Sequence, residues 1–218
     1  MQETQDTDRI IRDYESRLLD RWLTACREGT PIFTHDIFEL KIAHVFWEAM
    51  ERIIEVGTVH PDTQINFLRA WGQVSVTRVE FMSAVEVETF IRALRILLKP
   101  YDGPDRILYR GQTVGISPTL FWSDSEEVAH RYARWREWPI ILMCSVPSEA
   151  IISAPVLYEV YASAQDLSNK RLNDREFIVD PRGLQFDERS VATQPIDGLL
   201  QWQYSQIWRR DTQGRRRP

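Results

Sequence analysis

Pro100 divides this 218-residue chain into two stretches with different hydrophobic periods, and that change limits the folds open to it. Before the proline, apolar residues recur every three or four positions, the spacing of an amphipathic helix. In the first segment Ile10, Ile11, Tyr14, Leu18, Leu19, Trp22 and Leu23 share one face, and Gly29-Thr30-Pro31 ends it. A second helix is expected from a cap at Thr34 to Asp36, carrying Phe38, Ile42, Val45, Phe46, Ala49 and Ile53 and stopping at Gly57. His60-Pro61-Asp62 opens a third, with Ile65, Phe67, Leu68 and Trp71. A fourth runs from about Val76 to Leu98 with Phe81, Val85, Phe90, Leu94 and Leu97, and Pro100 stops it.

Beyond Pro100 the apolar runs shorten and turn residues separate them. Tyr101 to Asp105 is a turn cluster, followed by the strand-like Ile107-Leu108-Tyr109. Pro139 to Val146 reads as a buried strand, closed by Pro147. Further short strands are expected at Ala150 to Ser153, Val156 to Val160, Phe177 to Val179 and around Val191. Glu126 to Trp135 has the spacing of one helix, with Val128, Ala129, Tyr132 and Ala133 on its buried face. The fold class expected is α+β, with a helical region over residues 1–100, a strand-rich region over 101–208 and a basic tail over 209–218.

Composition narrows the setting. Hydrophobic residues make up 43% of the chain and eight are tryptophan, enough for a sizeable packed core. No apolar run approaches the roughly 20 residues that span a bilayer. The polar, acidic Met1 to Asp8 is neither a signal nor a transit peptide, so the expectation is a cytoplasmic protein without membrane association. Cys26 and Cys144 lie far apart and read as a reduced, buried pair. A net charge of −5 argues against tight binding of nucleic acid over the whole surface. The stretch from Arg209 onward, with five arginines against one aspartate, reads as a solvated terminus able to touch phosphate.

Three short words in the second half carry chemistry. Tyr109-Arg110-Gly111 follows an apolar strand. Arginine holds phosphate through paired hydrogen bonds and keeps its charge there, and the glycine allows close approach to the backbone. Alone, Arg110 reads as an ordinary strand-end arginine in a surface ion pair, and only the other words favour the phosphate reading. Phe121-Trp122-Ser123-Asp124-Ser125 leads an aromatic strand into a helix. A helix cap explains Ser125, whereas Ser123, at the strand end, is placed to bond a neighbouring carboxylate. Asp174-Arg175-Glu176 leads into Phe177-Ile178-Val179, where a glutamate heading a buried strand is costly unless hydrogen-bonded or functional. Such a carboxylate about 4 Å from a developing oxocarbenium ion is worth roughly 4 kcal/mol at an effective dielectric near 20, the logic that glycosidases use.

In this order the words resemble the arginine-serine-glutamate class of ADP-ribosyltransferases, the relatives of cholera toxin and of many bacterial and phage toxins. The resemblance covers about residues 104 to 182. It implies a split, mostly antiparallel β-sheet core that takes NAD as substrate and no metal. By resemblance, Arg110 binds the NAD phosphates and ribose, and Gly111 offers its backbone to the nicotinamide amide. Tyr109 and Trp122 border the same cleft. Ser123 braces the catalytic glutamate and Ser125 shapes the corner. Glu176 holds the nicotinamide ribose and stabilises the oxocarbenium ion. Asp174 stands where the family often has glutamate or glutamine to orient the acceptor, and Asp124 stands where threonine is usual. Ser163 to Asp174, with Lys170 and Arg171, corresponds to the family's target-recognition turn.

Rival sites fall away. His35, His44, His60 and His130 show no metal spacing with the cysteines. There is no phosphate-binding loop or dinucleotide fingerprint, and Cys144 lies inside an apolar strand, a poor place for a nucleophile. The expected activity is transfer of ADP-ribose from NAD to a macromolecular acceptor, protein or nucleic acid, with release of nicotinamide. The alternatives are an NAD glycohydrolase with water as acceptor, and an inactive module that binds NAD or a partner. Family analogy adds an intracellular toxin or phage-defence effector, with a neutralising antitoxin as partner.

Overall fold

The computed structural model describes residues 2–73, 83–134, 136–154 and 175–191. The strand expected at Val156 to Val160, the acidic Asp174, the target-recognition turn and the basic tail lie outside these residues. Among the described residues are six α-helices and a six-stranded sheet, so the chain is α+β with a helical N-terminal half.

The helices are α1 (Gln2–Glu28), α2 (Thr34–Ile42), α3 (Phe46–Val56), α4 (Pro61–Gln73), α5 (Ala84–Leu97) and, between strands, α6 (Glu126–Ala133). Of the apolar stripe expected on α1, only the C-terminal part is core. Leu18, Leu19, Trp22 and Cys26 are buried, while Ile10, Ile11 and Tyr14 are exposed. Gly29 and Gly57, both at positive φ, follow α1 and α3 as helix-ending residues.

The helix expected from Thr34 to Gly57 is two helices. His44 stands at φ 60° between them. Val45 N–H donates to Leu40 O at 3.0 Å and His44 N–H donates to Lys41 O at 3.1 Å. This pair of bonds is a Schellman ending, usually built on glycine. The break changes the buried phase. α2 buries Ile37 and Leu40, leaving Phe38 and Ile42 exposed, whereas α3 buries Phe46, Ala49, Met50 and Ile53. A straight helix cannot turn both sets toward one core.

α5 begins at Ser83, whose hydroxyl accepts from Glu86 N–H while Ser83 N–H donates to the Glu86 carboxylate at 2.7 Å. The bond from the Ser83 backbone N–H, followed by the Ser83 hydroxyl, holds the Glu86 carboxyl below its usual range. Phe90, Ile91, Ala93, Leu94 and Leu97 are buried, and Val85 is exposed.

The strands are β1 (Arg106–Thr113), β2 (Phe121–Ser123), β3 (Pro139–Val146), β4 (Ile151–Ser153), β5 (Glu176–Val179) and β6 (Asp187–Ser190). Their order is β4-β5-β2-β1-β3-β6, and every ladder is antiparallel. β1 and β3 pair along eight residues, but β1 meets β2 at one registered pair, Tyr109 with Ser123. The sheet therefore consists of two three-stranded halves joined at a single point.

The helices pack on one of those halves. Their core continues through Leu120, Phe121, Ile152 and Ile178 of the β4-β5-β2 side. Gln64 Nε2 donates to Ile96 O and Leu98 O at 3.2 Å each, and buried Ser153 Oγ donates to Lys99 O at 2.6 Å. These bonds satisfy carbonyls that the end of α5 leaves open. The opposite face of the sheet has its own core, with Leu108, Trp122, Leu142, Cys144, Phe177 and Val179 under Phe186.

Two predictions follow from this packing. His44→Gly relieves a left-handed conformation that glycine adopts freely, and it should stabilise the protein by about 0.5–1 kcal/mol in urea unfolding. The second concerns Cys26, whose thiol burial pushes up to about 12. In the unfolded chain a thiol ionises near 8.5. A folded-state pKa raised in this way gives stability that is full below pH 8.5 and is lost as pH rises toward 12. Between pH 8 and pH 11 the loss should be about 3 kcal/mol. Urea unfolding of Cys26→Ala at both pH values tests this: the variant, less stable throughout, should lose markedly less on the alkaline side.

Candidate functional site

Where β1, β2 and β5 run side by side, the three words of the second half meet. In the β2·β5 ladder Phe121 pairs with Ile178, Trp122 with Phe177 and Ser123 with Glu176. Directly opposed residues send their side chains to the same face, so Ser123 and Glu176 share a face with each other and, one strand further, with Tyr109. Ser123 is buried, at 5% exposure, while Glu176 is half-buried at the head of its strand. The serine and the glutamate, 53 residues apart in sequence, thus stand opposite one another with Tyr109 beside them, whereas Arg110, registered with Leu142 of the other core, starts from the opposite face.

Arg110 occupies the opening where β1 and β2 part. Its Nη1 donates to Phe121 O at 2.6 Å and its Nε donates to Gln112 Oε1 at 3.0 Å. Gln112 is itself buried, and its Nε2 donates to Ile116 O at 2.5 Å. This relay ties the β1–β2 connection at both ends and bridges the two half-sheets where the main chain does not. The sequence suggested Arg110 as a phosphate ligand, and at least two of its donor groups already serve the fold.

Gly111 answers to packing. A Cβ built there would lie 2.0 Å from Ala129 O and 2.6 Å from Ala133 N, both in the backbone of α6. The close approach that this glycine permits is that of a helix to a strand, and the space expected for a ligand is filled on that side. Tyr109 is half-buried against Ala129, Ala133 and Ile141. Trp122, a core residue by composition and a cleft residue by the resemblance, is core. It is 2% exposed, its Nε1 donates to Thr119 O at 2.8 Å, and its ring stacks on Phe186 with centroids 5.4 Å apart.

The corner 123–125 is built by side chains. Ser125 N–H donates to Ser123 Oγ at 3.1 Å, and Ser125 Oγ accepts from Val128 N–H at 3.4 Å, which makes Ser125 the N-cap of α6. Asp124 and Arg175 come next along the ladder, one step past the Ser123–Glu176 pair. Arg175 Nη2 donates to Asp124 Oδ2 at 2.6 Å, and Nε lies 2.6 Å from Oδ1 as an ion contact without hydrogen-bond alignment. Sequence reading missed this pair. Its signal was there: an acid between two serines, and a cation between two acids, at positions that adjacent strands bring level.

Among the described residues no group of three His, Cys, Asp or Glu side chains converges as a metal site would require. No helix among them is long and apolar enough to cross a membrane. No protein-family model, curated protein or solved structure matches the chain.

Gly111→Ala tests the packing role. The added methyl meets helix backbone that cannot move aside cheaply, and the loss should be about 2–4 kcal/mol in chemical denaturation. Little or no loss would show that α6 can shift away from β1.

Proposed function

We propose that this chain is an NAD-dependent mono-ADP-ribosyltransferase of the arginine-serine-glutamate class. The observation that carries the reading is the register: Ser123 and Glu176 are directly opposed on adjacent antiparallel strands, with Tyr109 of the arginine word next in the row. The resemblance requires a serine beside a glutamate with the arginine strand adjacent, and ordinary strand packing alone does not.

In this reaction the bond between C1′ of the nicotinamide ribose and the ring nitrogen breaks, and its electron pair leaves with neutral nicotinamide. C1′ becomes an oxocarbenium ion. An acceptor nucleophile attacks it and gives up its proton. Glu176 is the residue for the ribose hydroxyls and the positive charge, and Ser123 is the residue that restrains its carboxylate. At an effective dielectric near 20 the charge term of roughly 4 kcal/mol corresponds to about three decades of rate. The acceptor is a macromolecule, and an enzyme that modifies its own cell in this way acts as a toxin or defence effector held in check by a neutralising protein.

One observation favours a second reading, a module that binds a partner without turnover. The guanidinium of Arg110 bonds Phe121 O and Gln112 Oε1, which leaves it fewer donors for a pyrophosphate. Calorimetric titration with NAD separates the two, since only the transferase binds it.

The decisive experiment feeds NAD labelled in the adenylate to cell lysate with the purified protein and separates protein, DNA and RNA. Label should enter one fraction with stoichiometric nicotinamide release, and Glu176→Ala should lower the rate about 10³-fold. Free ADP-ribose in place of labelled polymer would identify a glycohydrolase. Absence of nicotinamide release with every lysate would remove the enzymatic reading.

A further inference from the structure

The pair Asp124–Arg175 extends the β2·β5 ladder by side chains. The registered main-chain pairing ends at Ser123 and Glu176. Asp124 and Arg175 are the next opposed positions, where the chain turns into α6 on one side and enters β5 on the other. There the two residues meet through the side-chain contacts described above, one hydrogen bond and one ion contact on opposite oxygens of the carboxylate.

Arg175 also has an unusual backbone. Its φ is 47°, a left-handed conformation that costs a residue with a long side chain about 1–2 kcal/mol. Glycine or asparagine is the ordinary occupant of such a position, and either one would lack the guanidinium. An arginine held in that conformation immediately before Glu176 means that the side chain is retained at the expense of local strain. The Asp124 side chain is 15% exposed and that of Arg175 63%. The carboxylate is thus the fixed member, anchored in the corner before α6, and the arginine is the member drawn to it.

We propose that Asp124 and Arg175 are a positioning pair that fixes the carboxylate of Glu176 against Ser123. This rests on the catalytic reading of Glu176 given above. The pair clamps the residue before the glutamate to the residue after the serine, so the two functional side chains are held from the end of the ladder that lacks main-chain bonds. Charge reversal across the pair keeps the clamp, and loss of either member opens it. Asp124, a departure from the usual threonine, and Arg175 between Asp174 and Glu176 are thereby two halves of one device.

The test compares purified wild type, Asp124→Asn, Arg175→Gly, Arg175→Lys and the double exchange Asp124→Arg with Arg175→Asp, with Glu176→Gln as reference. Arg175→Gly suits the left-handed backbone, so its loss is the loss of the side chain rather than of the fold. Thermal unfolding identifies any variant that has merely unfolded. In nicotinamide release, Asp124→Asn and Arg175→Gly should lower kcat about tenfold to a hundredfold with KM for NAD nearly unchanged. Arg175→Lys should retain part of the rate, and the double exchange should recover more than either single change predicts.

A second readout does not depend on turnover. Crystal structures of wild type and Arg175→Gly should show one Glu176 rotamer in the first and several in the second. A fall with Glu176→Gln but none with the clamp variants overturns the positioning pair and leaves the catalytic reading standing. Unchanged activity in Glu176→Gln, or no turnover by wild type, defeats the catalytic reading and with it the proposal's functional claim. A single Glu176 rotamer in Arg175→Gly overturns the clamp itself.

Discussion

The ladder between β2 and β5 has three residue pairs, and the arrangement of the second half of the molecule depends on it. Its register is fixed from both faces. Trp122 and Phe177 point into the core under Phe186, whereas Phe121 and Ile178 point into the core shared with the helices. A slip of one residue would turn each aromatic to the wrong side, so a short contact specifies a unique alignment. The polar pair Ser123–Glu176 sits at the end of the stripe that faces the helices, and its placement follows from apolar packing two residues away. The helical half supports this side of the sheet through Leu120, Ile152 and Ile178. It forms one wall of the core on which the serine and glutamate strands rest.

Much of this was legible in the sequence. Pro100 marks the change of architecture because α5 ends at Leu97 and Leu98 is already extended, as a nearby proline favours. Pro139 to Val146 reads as a buried strand and is one, since an apolar run broken only by Ser145 between prolines has few other uses. The opposition of Ser123 and Glu176 is also foreshadowed: a hydroxyl at one strand end and a carboxylate at the head of another, each beside apolar residues that need two-sided burial.

The remainder failed for identifiable reasons. His44 ends a helix in a conformation associated with glycine, and its side chain gives no hint of that. Ile10, Ile11 and Tyr14 continue the period of α1 past the point where other helices reach it, because periodicity reports a face and not what covers it. Arg110 and Gly111 match functional expectations in residue type while serving packing. A guanidinium bonded to a main-chain carbonyl, or a glycine pressed on a helix, depends on partners distant in sequence. Asp124 and Arg175 each look like a departure or a spacer until the register sets them level.

The single joint between the two half-sheets has a thermodynamic consequence. At the point where β1 leaves β2, a side chain substitutes for a peptide group: Arg110 supplies the donor that Phe121 O would otherwise receive from a neighbouring strand. Any anion that draws this guanidinium away competes with the sheet itself. Occupancy of the opening and cohesion of the two halves are then linked quantities, each weakening the other by the same free energy. A ligand meeting the arginine without displacing it from Phe121 O leaves the joint closed.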